Sequence, residues 1–347
     1  MKSRFDIRFV LAVLAAVALM GWFLAGMHWD EAWEVLKTAE WKWVAASAFL
    51  LFLEYPIRSW RWYYLVGEID EEITFAELAS ATNIGAAFNT FVPLRGGDII
   101  RIAVLARKRG LAFATVLSTT VVERLFDAVG ILGALFVLLY FLPADIAAGE
   151  TIGKFRGVGM ALGAGGIVLL GMTVLLGTRG AQRAFLSMIK PLPKPMRIRV
   201  FDQFRALVAG LAAVGNPMRL IPALLTTALI WVNGYFGVLC AFWAFHLDVP
   251  NISALFINTA VILSVAIPQA PGFIGLFQVV LEEAMGLWGA STGQGEAMAL
   301  ALWALYFLPV TMVGVIDLLR EGQGLGGFRE DLFDDLEERA ESGTPPK

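Results

Sequence analysis

Two groups of charged residues sit inside otherwise apolar sequence. Arg95, Asp98 and Arg101, spaced by three, come after Asn89, and Glu123, Arg124 and Asp127 open a later apolar run. Glu54 and Arg58, four apart, lie in an earlier one. Spacings of three and four place side chains on one helix face. A guanidinium makes charge-assisted, often bidentate contacts to a phosphate. Arg95, Arg101 and Arg124 are therefore expected to hold a phosphate, with Asn89 and Asp98 beside them. Glu123 and Asp127 would orient the arginines when nothing is bound, or meet a cationic group. Glu54 and Glu123 are the carboxylates placed to carry a proton. The plainer alternative is a set of ion pairs that bolt helices together, and the spacing alone allows both.

Other chemistry has little support. No nucleotide-binding loop, Ser-His-Asp set or metal-ligand spacing is present. His28 and His246 lie just beyond apolar runs, and the single cysteine, Cys240, lies within one, where packing is its usual role. No catalytic residue, metal ligand or cofactor is expected.

The elements that must position these residues are membrane helices. Of 347 residues, 58% are hydrophobic and 16% charged, against about 45–50% and about 25% in soluble domains, and the mean hydropathy is +0.70. Residues 9–27 behind Lys2, Arg4 and Arg8 read as an uncleaved first span, followed by an acidic, Trp-bearing outer loop at 28–42. Residues 43–65 form a second span. Its end, Arg58, Trp60, Arg61, Trp62, Tyr63 and Tyr64, reads as a girdle anchored at the interface, with arginines snorkelling. Residues 74–91 are too short and too rich in Ala, Asn and Gly for a full crossing, and Pro93 with Gly96 and Gly97 breaks the helix. Return to the same side at Arg107, Lys108 and Arg109 makes a re-entrant hairpin. Non-helical backbone survives at that depth only beside protein or a wet cavity.

Residues 111–142 exceed one span. Residues 158–176 form a Gly-rich span. The stretch 179–219 is a basic linker with a surface helix at 200–214. Beside membrane spans, the positive-inside rule explains it better than nucleic-acid binding. A span at 220–245, interrupted by Asn233-Gly234, leads to an outer loop at 246–251. Short helices at 253–266 and 276–288 flank Pro268, Pro271, Gly272 and Gly275 as a second hairpin. A last span at 297–319 precedes an acidic tail. With basic loops placed inside, the two halves have the same order and opposite orientation. Interrupted segments at matching places in opposed halves point to a transport site near the midplane.

The expected fold is all-α: a polytopic membrane helix bundle of about six full spans plus two re-entrant helical hairpins in an inverted repeat. The membrane domain covers 1–320, with halves at about 9–142 and 157–319. The basic linker at 179–219 and the acidic tail at 321–347 are expected on the cytoplasmic side, as are both termini.

Three ordered motifs also carry a family resemblance. Asn83 to Arg101 reads N-x-x-x-x-x-N-x-x-x-P-x-R-x-G-D-x-x-R; Glu123-Arg124-x-x-Asp127 follows, then Pro271-Gly272-Phe273-Ile274-Gly275. Together they resemble the membrane region of lysylphosphatidylglycerol synthases, whose stand-alone members are flippase-like. Asp98 stands where Glu is common, Phe273 where a second Gly is usual, and Gln278 where an acidic residue often sits. The resemblance implies lipid translocation or handling in a bacterial-type plasma membrane, with Pro271, Gly272 and Gly275 near the lipid. It does not carry over lysyl transfer. The expected partners are membrane lipids, with a homo-oligomer allowed and no nucleic acid. The rival functions are an intramembrane transferase acting on a lipid carrier and a non-catalytic scaffold for a lipid-modifying enzyme.

Overall fold

The computed structural model describes residues 23–91, 95–141, 178–191, 193–210, 216–266 and 271–321, with isolated positions at 18 and 21 and between 149 and 175. The expected first span, the Gly-rich span, the breaks at Pro93 and Pro268, and the acidic tail fall wholly or mostly outside these residues. No strand occurs among the described residues.

The helices in chain order are α1 (Trp29–Lys37), α2 (Trp41–Val66), α3 (Phe75–Phe91), α4 (Gly96–Arg109), α5 (Phe113–Phe141), α6 (Arg179–Met188), α7 (Lys194–Gly210), α8 (Pro217–Ala244), α9 (Ile252–Ala266), α10 (Leu276–Gly286) and α11 (Thr292–Arg320). Among the described residues, three segments are long and apolar enough to cross a membrane: Phe113–Phe141, Met218–Ala244 and Thr292–Arg320. α2 has the length, 26 residues, but carries Lys42, Glu54, Arg58 and Arg61.

α3 and α4 are consecutive helices folded onto each other, with Arg95 non-helical at the start of α4. Glycines let them approach. A Cβ at Gly97 would lie 1.9 Å from the Gly85 carbonyl oxygen, and one at Gly85 would lie 2.8 Å from the Arg101 Cβ. α9 and α10 form a second pair around the 3₁₀ turn Pro271–Phe273. That turn packs against α3. Arg95, beside the first break, donates from Nη1 to the Val265 carbonyl in α9 at 3.2 Å.

Each pair has its own apolar core. Trp62, Leu78, Ile84, Ile102, Leu105, Val122 and Leu318 pack around the first pair. Leu51, Phe242, Phe256, Phe277, Leu302 and Phe307 pack around the second. α2 and α11 contribute to both. α2 lies closely against α8 through small and polar residues, as membrane helix contacts commonly do. Ser47 Oγ donates to the Gly237 carbonyl at 2.7 Å, and Asn233 Nδ2 to the Leu50 carbonyl at 2.6 Å.

Four sequence expectations need correction. Asn233-Gly234 does not interrupt α8, which runs continuously from Pro217 to Ala244. Gly234 instead gives room to Asn258, whose amide atoms lie 2.7–2.8 Å from where a Cβ would be. The 28–42 loop contains α1, whose first-turn acids Asp30 and Glu31 and last-turn Lys37 suit the helix dipole. The surface helix in the basic linker begins at Lys194 rather than at 200, with α6 before it, and its expected end at 214 lies outside the described residues. Finally, the interfacial girdle is wrong for Arg61 and Trp62, which are 1% and 0% exposed. Trp60, at 48% exposed, keeps the outward position.

Candidate functional site

The buried charges form one connected network across α2, α4 and α5. On α2, Arg58 Nη2 lies 2.7 Å from Glu54 Oε1, and its Nη1 lies 3.5 Å from Asp127 Oδ1. One turn on, Arg61 Nη2 lies 2.7 Å from Asp127 Oδ1 and 3.7 Å from Glu123 Oε1. Its Nη1 donates to Thr227 Oγ1 of α8 at 3.3 Å. From α4, Arg101 pairs with Glu123, and its guanidinium carbon lies 4.7 Å from the Trp62 ring centroid, a cation–π placement. Trp62 is held in turn by donation from Nε1 to Thr119 Oγ1 at 2.9 Å.

The other end of the network is looser. Arg124 Nη1 lies 3.0 Å from Asp127 Oδ2, while its Nη2 lies 3.4 Å from Asp98 Oδ2. Arg95 Nη2 also lies 3.4 Å from Asp98 Oδ2. Asn89 Nδ2 donates to Asp98 Oδ1 at 3.1 Å. Exposure separates the two ends. The side chains of Arg61, Glu123 and Arg101 are 1–7% exposed, whereas Arg95, Asp98 and Arg124 are 26–36% exposed. The inner end is closed by its own counterions. The outer end is the more exposed one, and Arg95 ties it to Val265 of α9.

Local conformation explains how Arg95 arrives there. It precedes α4 in the left-handed region, φ 58°, ψ 39°, which is costly for a residue with a Cβ. The second break uses the same region: Gly272 and Phe273 have φ 74° and 57°. The Gly272 carbonyl accepts from Trp303 Nε1 of α11 at 2.6 Å. Gly275 has φ 102°, and its N–H donates to Gln278 Oε1 at 2.7 Å. Phe273 pays for its left-handed backbone by burial and by stacking on Phe307, centroids 4.6 Å apart. Of Pro271 only the backbone is described.

Thus Asn89, Arg95, Asp98, Arg101, Glu123, Arg124, Asp127 and Glu54 fall in one network, and Gly272 and Gly275 fall at the neighbouring break. Arg61, which links Asp127 to Glu123, was missed by the sequence reading. The signal was available: Arg61 is seven residues beyond Glu54, on the same helix face. It was hidden by the flanking Trp and Tyr residues, which suggest an interface. Among the described residues, no group of three or more His, Cys, Asp or Glu side chains could hold a metal ion. A cavity of about 430 Å³ lies away from the network, lined by Glu40, Trp43, Phe242, Trp243, His246 and Leu247.

A helical bundle with apolar spans and a multiply paired ion network between them is a multi-pass membrane protein. The chain matches the model of the lysylphosphatidylglycerol synthase TM region over residues 9–314 and belongs to that family. It is also similar to the glycosyltransferase AglD of Haloferax volcanii, at 24% identity over 335 residues. That match covers 88% of this chain and 52% of the relative, so the chain spans about half the relative's length. No solved structure matches.

Proposed function

We propose that this protein binds the anionic headgroup of a phospholipid or modified lipid and moves it across a bacterial-type plasma membrane. The observation that carries this reading is the placement of Arg95 and Arg124. They are the more open arginines of a buried network, and Arg95 joins that network to α9 of the second helix pair. Interrupted helices with polar groups between them are how many transporters meet a charged substrate inside the bilayer. Arg58, Arg61, Arg95, Arg101 and Arg124 face Glu54, Asp98, Glu123 and Asp127. Five guanidiniums against four carboxylates leave one positive charge for an incoming anion.

In this reading Arg95 and Arg124 take the phosphate. Arg101 stands behind them, committed to Glu123 and Trp62. Glu54, Glu123 and Asp127 hold the arginine framework in place. The two helix pairs are re-entrant, in an inverted repeat, with both termini cytoplasmic. The membrane chemistry is transport, without a covalent step.

The test is reconstitution of the purified chain in vesicles with a labelled anionic phospholipid in one leaflet. At equal abundance, Arg124→Ala and Glu123→Gln should slow its redistribution at least about tenfold, as expected when a transition-state contact worth about 1.4 kcal/mol or more is lost. Unchanged redistribution sinks the proposal. The relative's printed name favours a second reading, transfer of a group to a lipid carrier. Mass spectrometry of the recovered lipid separates the two, because transport leaves its mass unchanged.

A further inference from the structure

The two open arginines are already occupied by a carboxylate. Asp98 presents a single oxygen, Oδ2, to both Arg95 and Arg124, each at 3.4 Å. Charge-assisted pairs in good geometry are shorter, about 2.7–2.9 Å, as Arg61 and Asp127 are at 2.7 Å in this same network. The hold on Asp98 is therefore loose. Arg95 Nε is buried and has no hydrogen-bond partner among the described residues. Its Nε–Nη2 edge is thus only half used, by one long contact. A tetrahedral phosphate could give that edge and Arg124 separate oxygens, which one shared carboxylate oxygen does not.

We propose that Asp98 is an internal substitute for the phosphate, a latch that neutralises Arg95 and Arg124 when the site is empty and is displaced by the headgroup. This rests on the phosphate-binding role assigned above and adds the regulation of that site. A carboxylate in the place of the ligand keeps two guanidiniums paired at depth, where an uncompensated charge is costly. The binding-competent form is the one in which Asp98 has moved away. Apparent affinity is reduced by the fraction of molecules in that form. Asn89 sets the fraction, since its Nδ2 holds Asp98 Oδ1 at 3.1 Å.

The experiment titrates the purified full-length chain with short-chain phosphatidylglycerol and, separately, with inorganic phosphate, read by calorimetry. Asp98→Asn keeps the shape and removes the competing charge. It should bind the lipid about five- to tenfold more tightly than the native chain, if the latch is closed about nine-tenths of the time. Asn89→Ala should tighten binding by a smaller factor. Arg124→Gln should abolish it. Equal or weaker binding by Asp98→Asn, with Arg124→Gln still defective, overturns the latch and leaves the site. Normal binding by Arg124→Gln overturns the site and the latch with it. If Asp98→Asn does not fold, Asn89→Ala decides, and unchanged affinity there overturns the latch. Lipid binding without phosphate binding identifies the headgroup as the ligand. Phosphate binding without lipid binding overturns the headgroup.

Discussion

Glu123 shows what a single side chain does here. It is 1% exposed and faces both Arg101 and Arg61. Removing one partner of a buried ion pair costs about 3–5 kcal/mol, whereas replacing the whole pair by apolar groups can be near neutral. Glu123→Gln should therefore lower the melting temperature in detergent markedly. Arg101→Met combined with Glu123→Met should recover most of the loss, because Arg61 keeps Asp127. Equal damage by both variants would contradict the pairing. His28, outside the spans, behaves differently. Its backbone N–H donates to Glu296 Oε2 at 2.8 Å, and its Nδ1 lies 3.1 Å from Oε1. The hydrogen bond to Glu296, and then its charge, raise the imidazole above its ordinary 6.5. A raised imidazole stabilises most below the unfolded value and loses that contribution as pH rises through the folded one. Melting curves of the native chain and His28→Gln should differ at pH 6 (roughly half a unit below the unbound value) and converge toward pH 9 (about two and a half units above it). Convergence at the acidic end instead would refute the contact.

At the scale of elements, the first helix pair depends on Gly97. A Cβ there would sit 1.9 Å from the Gly85 carbonyl oxygen, whereas one at Gly133 of α5 would meet nothing within 4 Å. Gly97→Ala should therefore separate α3 from α4, misplace Arg95 and Asp98, and abolish lipid binding. Gly133→Ala should leave binding intact and favour the helix by up to about 1 kcal/mol. The helices themselves were largely legible in the sequence. Hydrophobic length marked α5, α8 and α11, and clustered Pro and Gly marked the breaks beside Arg95 and Phe273. The content of the glycines was not. Gly234 follows an asparagine, a pair that often punctuates a turn, yet α8 continues because the missing side chain admits Asn258. Nor does sequence reveal that Asp98 shares one oxygen between two arginines, since that depends on how α4 and α5 meet.

Across the whole molecule, α11 fastens α3 along its length. Glu321, just beyond α11, accepts from Ser80 and also from Lys108 of α4; Asp317 accepts from Asn83; Thr311 meets Thr90 at 3.0 Å. Gly314 lets the helices touch, since a Cβ there would lie 2.2 Å from the Asn83 carbonyl oxygen. Transport by rocking one helix pair against the rest would have to loosen this contact. Thr90→Cys with Thr311→Cys should cross-link under oxidant, halt lipid movement, and release it on reduction. The native Cys240 is buried and leaves that readout clean. Continued transport after complete cross-linking would show that α3 and α11 move together. The charged helix α2 has a further consequence, for biogenesis. Glu54 and Arg58 can enter the bilayer already joined, one turn apart. Arg61 cannot, because its counterions are on α5 and its hydroxyl partner is on α8, which the ribosome makes more than 150 residues later. On the proposed topology, where a lone arginine at the centre of a span costs up to about 2.5–3.5 kcal/mol, α2 would reach its final place only when those later segments emerge to receive it.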